Sequence, residues 1–154
     1  HIEVAAYPET HPQARSPAAD LQAFAAKLRA GADSAITQYF YNADAYFRFV
    51  DEVQRLGADV ARVPIVPGIM PITGAAQLLR FSDACGAEVP RWIRLRLQAF
   101  GDDTASIKAF GLDVVAALCE RLIAGGAPAL HFYTMNQSAP TLAICARLQG
   151  AQQG

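Results

Sequence analysis

The sequence is poor in cysteine, lacks an excess of charge of either sign, and has no long apolar run. Its three cysteines, Cys85, Cys119 and Cys145, are widely spaced and form no C-x-x-C pair. This pattern excludes a disulfide framework and a cysteine-based zinc site, and favours buried, reduced thiols. The 13 Lys+Arg and 14 Asp+Glu give a net charge of −1. No general basic field is therefore available to attract nucleic acid.

No apolar run reaches the roughly 18 to 20 residues that span a bilayer, and no signal-like start is visible. We therefore expect a soluble, cytoplasmic protein with no membrane partner. Apolar residues make up 53% of the 154-residue chain, which is enough for the core of one domain. The chain starts with His1 rather than Met. We expect it to be a processed or truncated piece of a longer product.

Familiar catalytic signatures are also missing. The sequence contains no G-x-G-x-x-G, Walker loop, G-x-S-x-G elbow or H-E-x-x-H,. His1, His11 and His131 have no metal-ligand spacing, so no metal site is expected. The basic and aromatic run from Arg91 to Arg96 is typical of a helix face whose long side chains cover apolar surface, and does not by itself indicate nucleic-acid binding.

Strand-like and helix-like segments alternate along the chain. The predicted strands are residues 2–6, 35–40, 60–66 and 129–133, the third closing in Pro67-Gly68,. Helices are predicted after caps at Ser16, Asn42 and Thr73, after Pro90, over 107–123 and over 140–148,. Alternating elements of these lengths predict an α/β fold with a parallel sheet and right-handed crossovers.

A Gly-Ala pair recurs at three predicted helix-to-strand junctions: Gly31-Ala32, Gly57-Ala58 and Gly126-Ala127. Four β/α units are half of a (β/α)8 barrel, which needs about 250 residues. A small doubly wound sheet is the alternative architecture. In both, ligands bind at the carboxyl ends of the strands, where this sequence places polar residues such as Tyr7, Glu9, His11, Tyr133 and Asn136.

Two glutamines and one phenylalanine stand out as candidate ligand-binding residues. Gln38 lies inside an apolar strand, so its amide needs partners, which a ligand or a neighbouring loop could supply. Gln77 and Phe81 are four residues apart and share one helix face, which suits a flat ligand with polar edges. On spacing alone, a core Phe81 and a solvated Gln77 are favoured.

Asp20 and Lys27 are seven residues apart on one predicted helix, which separates them by about 10 Å. The lysine could hold a phosphate and the aspartate a ribose hydroxyl. Taken by itself, this spacing favours a solvated helix edge.

Four blocks, taken together, carry a resemblance to a known family. They are Val4–Glu9 with His11-Pro12, Ala35–Phe40, Pro67–Pro71 and His131–Asn136. In this order, and at strand ends, they resemble methylenetetrahydrofolate reductase of the bacterial flavoprotein type. The resemblance covers essentially the whole chain. It implies that residues 1–154 are the carboxyl-terminal half of a (β/α)8 catalytic barrel, containing its fifth to eighth units.

The family resemblance implies an FAD-dependent oxidoreductase of one-carbon metabolism. Such an enzyme reduces 5,10-methylenetetrahydrofolate to 5-methyltetrahydrofolate with electrons from NADH or NADPH, in two hydride transfers at one site.

By position, the resemblance implies that Tyr7 and His11 contact the flavin. It places Asp20 and Lys27 on the FAD-binding helix, with Lys27 paired to the pyrophosphate, and so replaces the interpretation of a solvated edge.

The same resemblance implies three substrate-binding residues. Gln38 matches the glutamine that binds the folate pterin and the nicotinamide amide, Gln77 matches a second folate-binding glutamine, and Phe81 matches the aromatic residue that stacks on the substrate.

The chain departs from the family at Ala23, Ala26 and Gln137, where some members carry longer polar or basic side chains towards FAD or the folate glutamate tail. The family's general-acid glutamate and flavin-tuning aspartate lie near strands outside this chain. No catalytic residue is therefore expected here, and the isolated chain is expected to be inactive unless it pairs with the missing half. The alternatives are a non-catalytic half-barrel that self-associates or pairs with a partner chain, and a barrel binding another flavin or phosphate ligand.

Overall fold

One parallel sheet, whose strand order follows the chain, organises the molecule. The computed structural model describes residues 1–151, and its elements all belong to alternating β/α units. They are β1 (Glu3–Ala6), α1 (Pro17–Arg29), β2 (Ser34–Tyr39), α2 (Ala43–Arg55), α3 (Ala58–Ala61), β3 (Ile65–Ile69), α4 (Ala75–Cys85), α5 (Arg91–Phe100), α6 (Thr104–Ala124), β4 (His131–Phe132) and α7 (Ser138–Ala151).

The sheet has the order β1-β2-β3-β4, and all three neighbouring pairs are parallel. Val4 lies beside Ala35, Ile36 beside Val66, and Gly68 beside His131. The expected α/β class with a parallel sheet is confirmed. A doubly wound sheet reverses its strand order at a switch point, and these four strands contain no such reversal.

The third strand differs from its predicted position. Residues 58–61 form the short helix α3, and the strand runs from Ile65 to Ile69 with Pro67 and Gly68 inside it. The ladder between β2 and β3 is irregular between Ile36 and Tyr39. A proline is tolerated there because it has no N–H to contribute and the regular pairing is already interrupted.

Side-chain caps mark the first residues of α1 and α2. The Ser16 hydroxyl accepts a hydrogen bond from the Ala19 N–H, and the Asn42 side chain accepts one from the Asp44 N–H. The predicted cap at Thr73 is wrong, because Gly74 holds that position without a side-chain hydrogen bond. The helix that follows ends at Gly86, whose φ of 70° lies in the left-handed region that glycine adopts readily,.

The core lies around β2 and β3 and against the inner faces of the helices. Phe40, Ile69, Ile93 and Leu122 are almost fully buried. Thr37 is a completely buried polar residue, and its hydroxyl accepts a hydrogen bond from the Gly68 N–H at 2.8 Å. This bond satisfies the Gly68 amide at the place where the sheet pairing is irregular.

Candidate functional site

The loop after β1 and the first turn of α1 form a tightly connected group. The rings of Tyr7 and His11 meet edge to face, with centroids 4.4 Å apart. The backbone N–H of His11 donates to Asp20 Oδ2 at 2.7 Å, and the backbone N–H of Gln13 donates to the ring atom Nδ1 of His11 at 3.0 Å. Because Nδ1 accepts this bond, the neutral ring carries its proton on Nε2. Three of the four expected cofactor residues are therefore fixed together.

Lys27 comes from the last turn of α1 and reaches back to the sheet. Its Nζ donates a hydrogen bond to the Ala5 carbonyl in β1 and lies 5.5 Å from the centre of the Phe24 ring. Burial lowers the pKa of Lys27, and the carboxylate of Asp20 partly opposes that shift. A half-buried ammonium without an ion-pair partner in contact is suited to receive an anion.

Glu9 joins the loop after β1 to the segment that follows α4. Its Oε2 accepts a hydrogen bond from the Glu88 N–H at 2.8 Å. Burial is the main cause that raises the pKa of Glu9, and the Glu88 carboxylate adds to it, while the Glu88 N–H and the Arg48 guanidinium act in the opposite direction.

Gln38 lines a small cavity beside the cofactor group, which consists of the four expected cofactor residues Tyr7, His11, Asp20 and Lys27. Residues of the loop after β1 line this cavity, among them Tyr7 and Glu9, together with Tyr39 and Cys85. The Gln38 Oε1 accepts a hydrogen bond from the Tyr39 N–H at 3.0 Å. The bond uses one acceptor position of the side chain and leaves the NH2 group available to a ligand.

Gln77 and Phe81 line a second cavity. Its remaining walls come mainly from the loop after β3 and the loop after β4, and include Thr73, Tyr133 and Gln137, with Pro140 contributed by α7. The predicted shared face of α4 is confirmed, since both side chains open into the same space. The structure thus pairs Gln77 with Phe81, and groups Gln38 with Tyr7 instead.

Tyr133, which the sequence places at a strand end without a specific role, forms a wall of this second cavity. Its hydroxyl donates to the Thr37 carbonyl at 2.9 Å. Its ring covers Gly68, where an added Cβ would lie 2.7 Å from Tyr133 Cε2 and 2.1 Å from the Thr37 oxygen. Two distant features of the sequence, a glycine within β3 and a tyrosine after β4, produce this contact, so no local pattern could reveal it.

A wider cleft of about 640 Å³ continues from this cavity between α6 and α7. The two spaces share Pro71, Thr73, Gln137 and Pro140, and Lys108 is the charged residue among those that line the cleft. Asn136 and Gln137 in this region already stood out in the sequence, but no local pattern indicated that α6 and α7 would line the same cleft.

Residues 1–151 contain neither a metal-binding cluster nor a membrane-spanning helix. No three or more His, Cys, Asp or Glu side chains cluster in a way that could hold a metal ion. None of the helices in this part of the chain combines the length and the apolar character needed to cross a membrane.

Comparisons with known proteins agree on one family. The family model for methylenetetrahydrofolate reductase matches residues 1–149. The chain is 38% identical to the 5,10-methylenetetrahydrofolate reductases of Salmonella typhimurium and Escherichia coli over 144 residues, which is 94% of this chain and 48% of each relative. It is 36% identical to a probable methylenetetrahydrofolate reductase (NADH) from Oryza sativa, covering 96% of this chain and 26% of that protein.

A solved structure supports the fold. It is an uncharacterized protein from Clostridium thermocellum that binds two copies of 5-methyl-5,6,7,8-tetrahydrofolic acid, and it superposes with a TM-score of 0.64 at 20% identity, covering 98% of this chain and 53% of that one.

The chain spans about half the length of the bacterial relatives it matches. The family match nevertheless extends over nearly all of its residues, and the resemblance seen in the four sequence blocks is confirmed. The chain belongs to the methylenetetrahydrofolate reductase family.

Proposed function

We propose that this chain contributes part of the FAD site, and much of the folate and nicotinamide site, of a methylenetetrahydrofolate reductase. In this proposal residues 1–154 are the carboxyl-terminal half of a (β/α)8 barrel. The observation that carries the proposal is the grouping of Tyr7, His11, Asp20 and Lys27 at one end of the sheet, beside a cavity that contains Gln38. Family membership supplies the class of reaction.

The side chains of the cofactor group suit FAD chemically. Lys27 offers a half-buried ammonium whose pKa is lowered by burial, and a pyrophosphate would relieve that penalty,. Asp20 uses Oδ2 to hold the His11 N–H, and its other oxygen can accept from a ribose hydroxyl,. Tyr7 and His11 present an aromatic surface and the ring's Nε2 proton to the isoalloxazine. Bound FAD would supply reversible two-electron chemistry.

In this proposal Gln38, Gln77 and Phe81 bind the folate and the nicotinamide and do not contact the pyrophosphate or ribose of FAD. The NH2 group of Gln38 is available to donate to the pterin carbonyl of the folate or to the amide of NADH or NADPH. Gln77 supplies a second amide, and Phe81 provides the aromatic plane on which the flat ring lies,. Tyr133 closes the cavity opposite these residues and helps to exclude water.

The sheet itself supports a half-barrel. Within residues 1–151, β1 pairs with β2 alone and β4 pairs with β3 alone, so the two outer strands have free edges. Four further parallel strands would close both edges into a barrel. In this proposal the proton donor to the folate nitrogen comes from that other half, which makes the chain inactive by itself.

The free edges also favour a second candidate function. A half-barrel could close its sheet with a second copy of itself, or with a partner chain, and serve only as a scaffold. Such a module would not bind flavin.

A flavin titration separates the two candidates. We expect the purified chain to quench flavin fluorescence saturably, and its mass in solution, measured alongside, shows whether the binding form is a monomer or an oligomer. Mixing the chain with the part of the Salmonella relative that lies outside the match should then restore folate reduction with NADH or NADPH.

Lys27→Ala and Lys108→Ala form a matched pair of variants for this titration. Only the first should weaken FAD binding, because Lys108 lines the cleft between α6 and α7. A folded chain that binds no FAD, alone or mixed, would contradict the proposed function and favour the scaffold.

A further inference from the structure

We propose that Glu9 is a positioning residue that fixes the loop after β1 to the end of α4. This inference rests on the proposed function, because that loop carries Tyr7 and His11 of the cofactor group and α4 carries Gln77 and Phe81 of the substrate cavity. Glu9 would thereby set the spacing between the flavin and the substrate.

A single long-range hydrogen bond forms this connection. Glu9 Oε2 accepts from the Glu88 N–H at 2.8 Å, across 79 positions of the chain. Glu88 lies just beyond Gly86, where α4 ends. The Glu9 carboxylate therefore holds the chain just beyond the carboxyl end of α4. Glu9 itself lies two residues after Tyr7 and two residues before His11.

Close packing accompanies the bond. An added Cβ at Gly86 would lie 2.4 Å from Pro12 Cγ, so the loop and the end of α4 already touch. Thr10, next to Glu9, has a φ of 94°, a conformation that non-glycine residues rarely adopt,. Such a conformation persists only where its surroundings fix it. The loop is thus held in one shape at the place where it meets α4.

The groups around Glu9 favour a neutral hydrogen-bond acceptor at this position over an ionised carboxylate. The Glu88 carboxylate disfavours a further negative charge at Glu9, and the Arg48 guanidinium is the nearby cation that acts on it. A neutral acceptor at this place should therefore preserve the bond to the Glu88 N–H. Glu9 lines the cavity that contains Gln38 and lies outside the second cavity, which Gln77 and Phe81 line.

The consequence for catalysis concerns alignment more than binding. Hydride transfer requires the donor and acceptor atoms to approach in one geometry, and small displacements reduce the rate strongly. Loss of the connection would leave the contacts within the cofactor group and the lining of the second cavity in place, since neither includes the bond between Glu9 and Glu88. Binding would then change little while turnover fell.

Glu9→Ala and Glu9→Gln test the proposal, with Glu120→Ala on the exposed face of α6 as the control. The first measurement is amide hydrogen exchange of Glu88 in the chain alone, which needs no ligand. We expect Glu9→Ala to accelerate exchange by about tenfold and Glu9→Gln to stay close to the wild type, since the amide retains an acceptor.

The second measurement uses the chain mixed with its complementing half. Glu9→Ala should lower kcat by about tenfold, while the KM for the folate and the dissociation constant of FAD change less than about twofold; Glu9→Gln should restore kcat. Unchanged Glu88 exchange in Glu9→Ala, or a lost kcat that Glu9→Gln does not rescue, would overturn the positioning role. A wild-type mixture without FAD binding instead rejects the proposed function, and the exchange result still decides whether Glu9 joins the two segments.

Discussion

The two sides of the candidate site are built differently. On the cofactor side, Tyr7, His11, Asp20 and Lys27 are connected to one another or to the sheet by hydrogen bonds and ring contacts. On the substrate side, the amide of Gln77 makes no hydrogen bond to another of residues 1–151, and the walls of the second cavity come from two separate loops and from α4 and α7.

This difference suggests how each side acquires its ligand. A group of side chains that already hold one another loses little freedom on binding, so its affinity depends mainly on direct contacts. A cavity with unsatisfied amides depends on the ligand to complete its hydrogen bonds, which is suited to admitting two substrates in turn. The predictions below test this contrast, in order of decreasing effect.

Gly68→Ala should have the largest effect, and it acts on the substrate side. The added methyl would meet the Thr37 carbonyl and the Tyr133 ring, neither of which can yield cheaply. We expect the free energy of unfolding to fall by about 3 kcal/mol in urea denaturation. Gly74→Ala is the control, since nothing lies within 4 Å of its Cβ position; a similar loss there would show that any glycine near this cavity is equally sensitive.

Lys27→Ala should weaken FAD binding by about 10- to 100-fold, because a charge-assisted contact to phosphate contributes about 1.5 to 3 kcal/mol. The measurement is the fluorescence titration described above. Because Asp20 and His11 retain their bond in this variant, residual binding is expected. An unchanged dissociation constant would remove Lys27 from the cofactor side.

Phe81→Ala should raise the KM for the folate by about five- to tenfold in the complemented enzyme, as expected for the loss of one aromatic contact. FAD affinity should stay the same, since Phe81 lies outside the cofactor group. Leu79→Ala, a truncation elsewhere on α4, provides the comparison. Equal loss of flavin and folate binding in Phe81→Ala would mean that the two sides are not separate.

The smallest effect concerns pH. Burial holds the pKa of Lys27 below its usual 10.5, so FAD should bind less tightly as the pH rises towards that lowered pKa and the ammonium loses its proton. The stability of the chain without FAD should change in the opposite direction. At pH values between the lowered pKa of Lys27 in the folded state and its ordinary pKa in the unfolded state, the unfolded state binds more protons. The contribution of Lys27 to the free energy of unfolding therefore rises with pH in this range,.

The ionisation of FAD itself also changes binding with pH. Measuring the same pH profile in Lys27→Ala allows this contribution to be subtracted from the wild-type profile. A pH profile that is the same in the wild type and this variant would argue against a half-buried ammonium at the site.

The sequence predicted most of the fold because its signals were local. Ser16 and Asn42 cap the helices that follow them as expected, and the α/β alternation was correct. The third strand was misplaced because Pro67 and Gly68 usually end strands, whereas here the irregular pairing with β2 accommodates both. Only the neighbouring strand could have revealed this.

The features of the candidate site likewise fall into those with a local sequence signal and those without one. Four-residue spacing placed Gln77 and Phe81 on one helix face, and the structure confirms it. The connection between Glu9 and Glu88 depends on residues 79 positions apart, and the contact between Tyr133 and Gly68 joins the residue after β4 to a glycine within β3. Neither has a periodic signature. The ligand roles of the seven predicted site residues stay predictions until the titrations are made.

The order of the strands also bears on how the molecule folds. Because each strand pairs with the one before it in the chain, the β1–β2 and β2–β3 pairings each close a short loop at a modest cost in entropy, whereas the β3–β4 pairing must also enclose α4, α5 and α6,. We therefore expect the sheet to form progressively from β1, each strand acting as a template for the next. The two-residue strand β4 would join last, and it would be the first to separate when the protein unfolds.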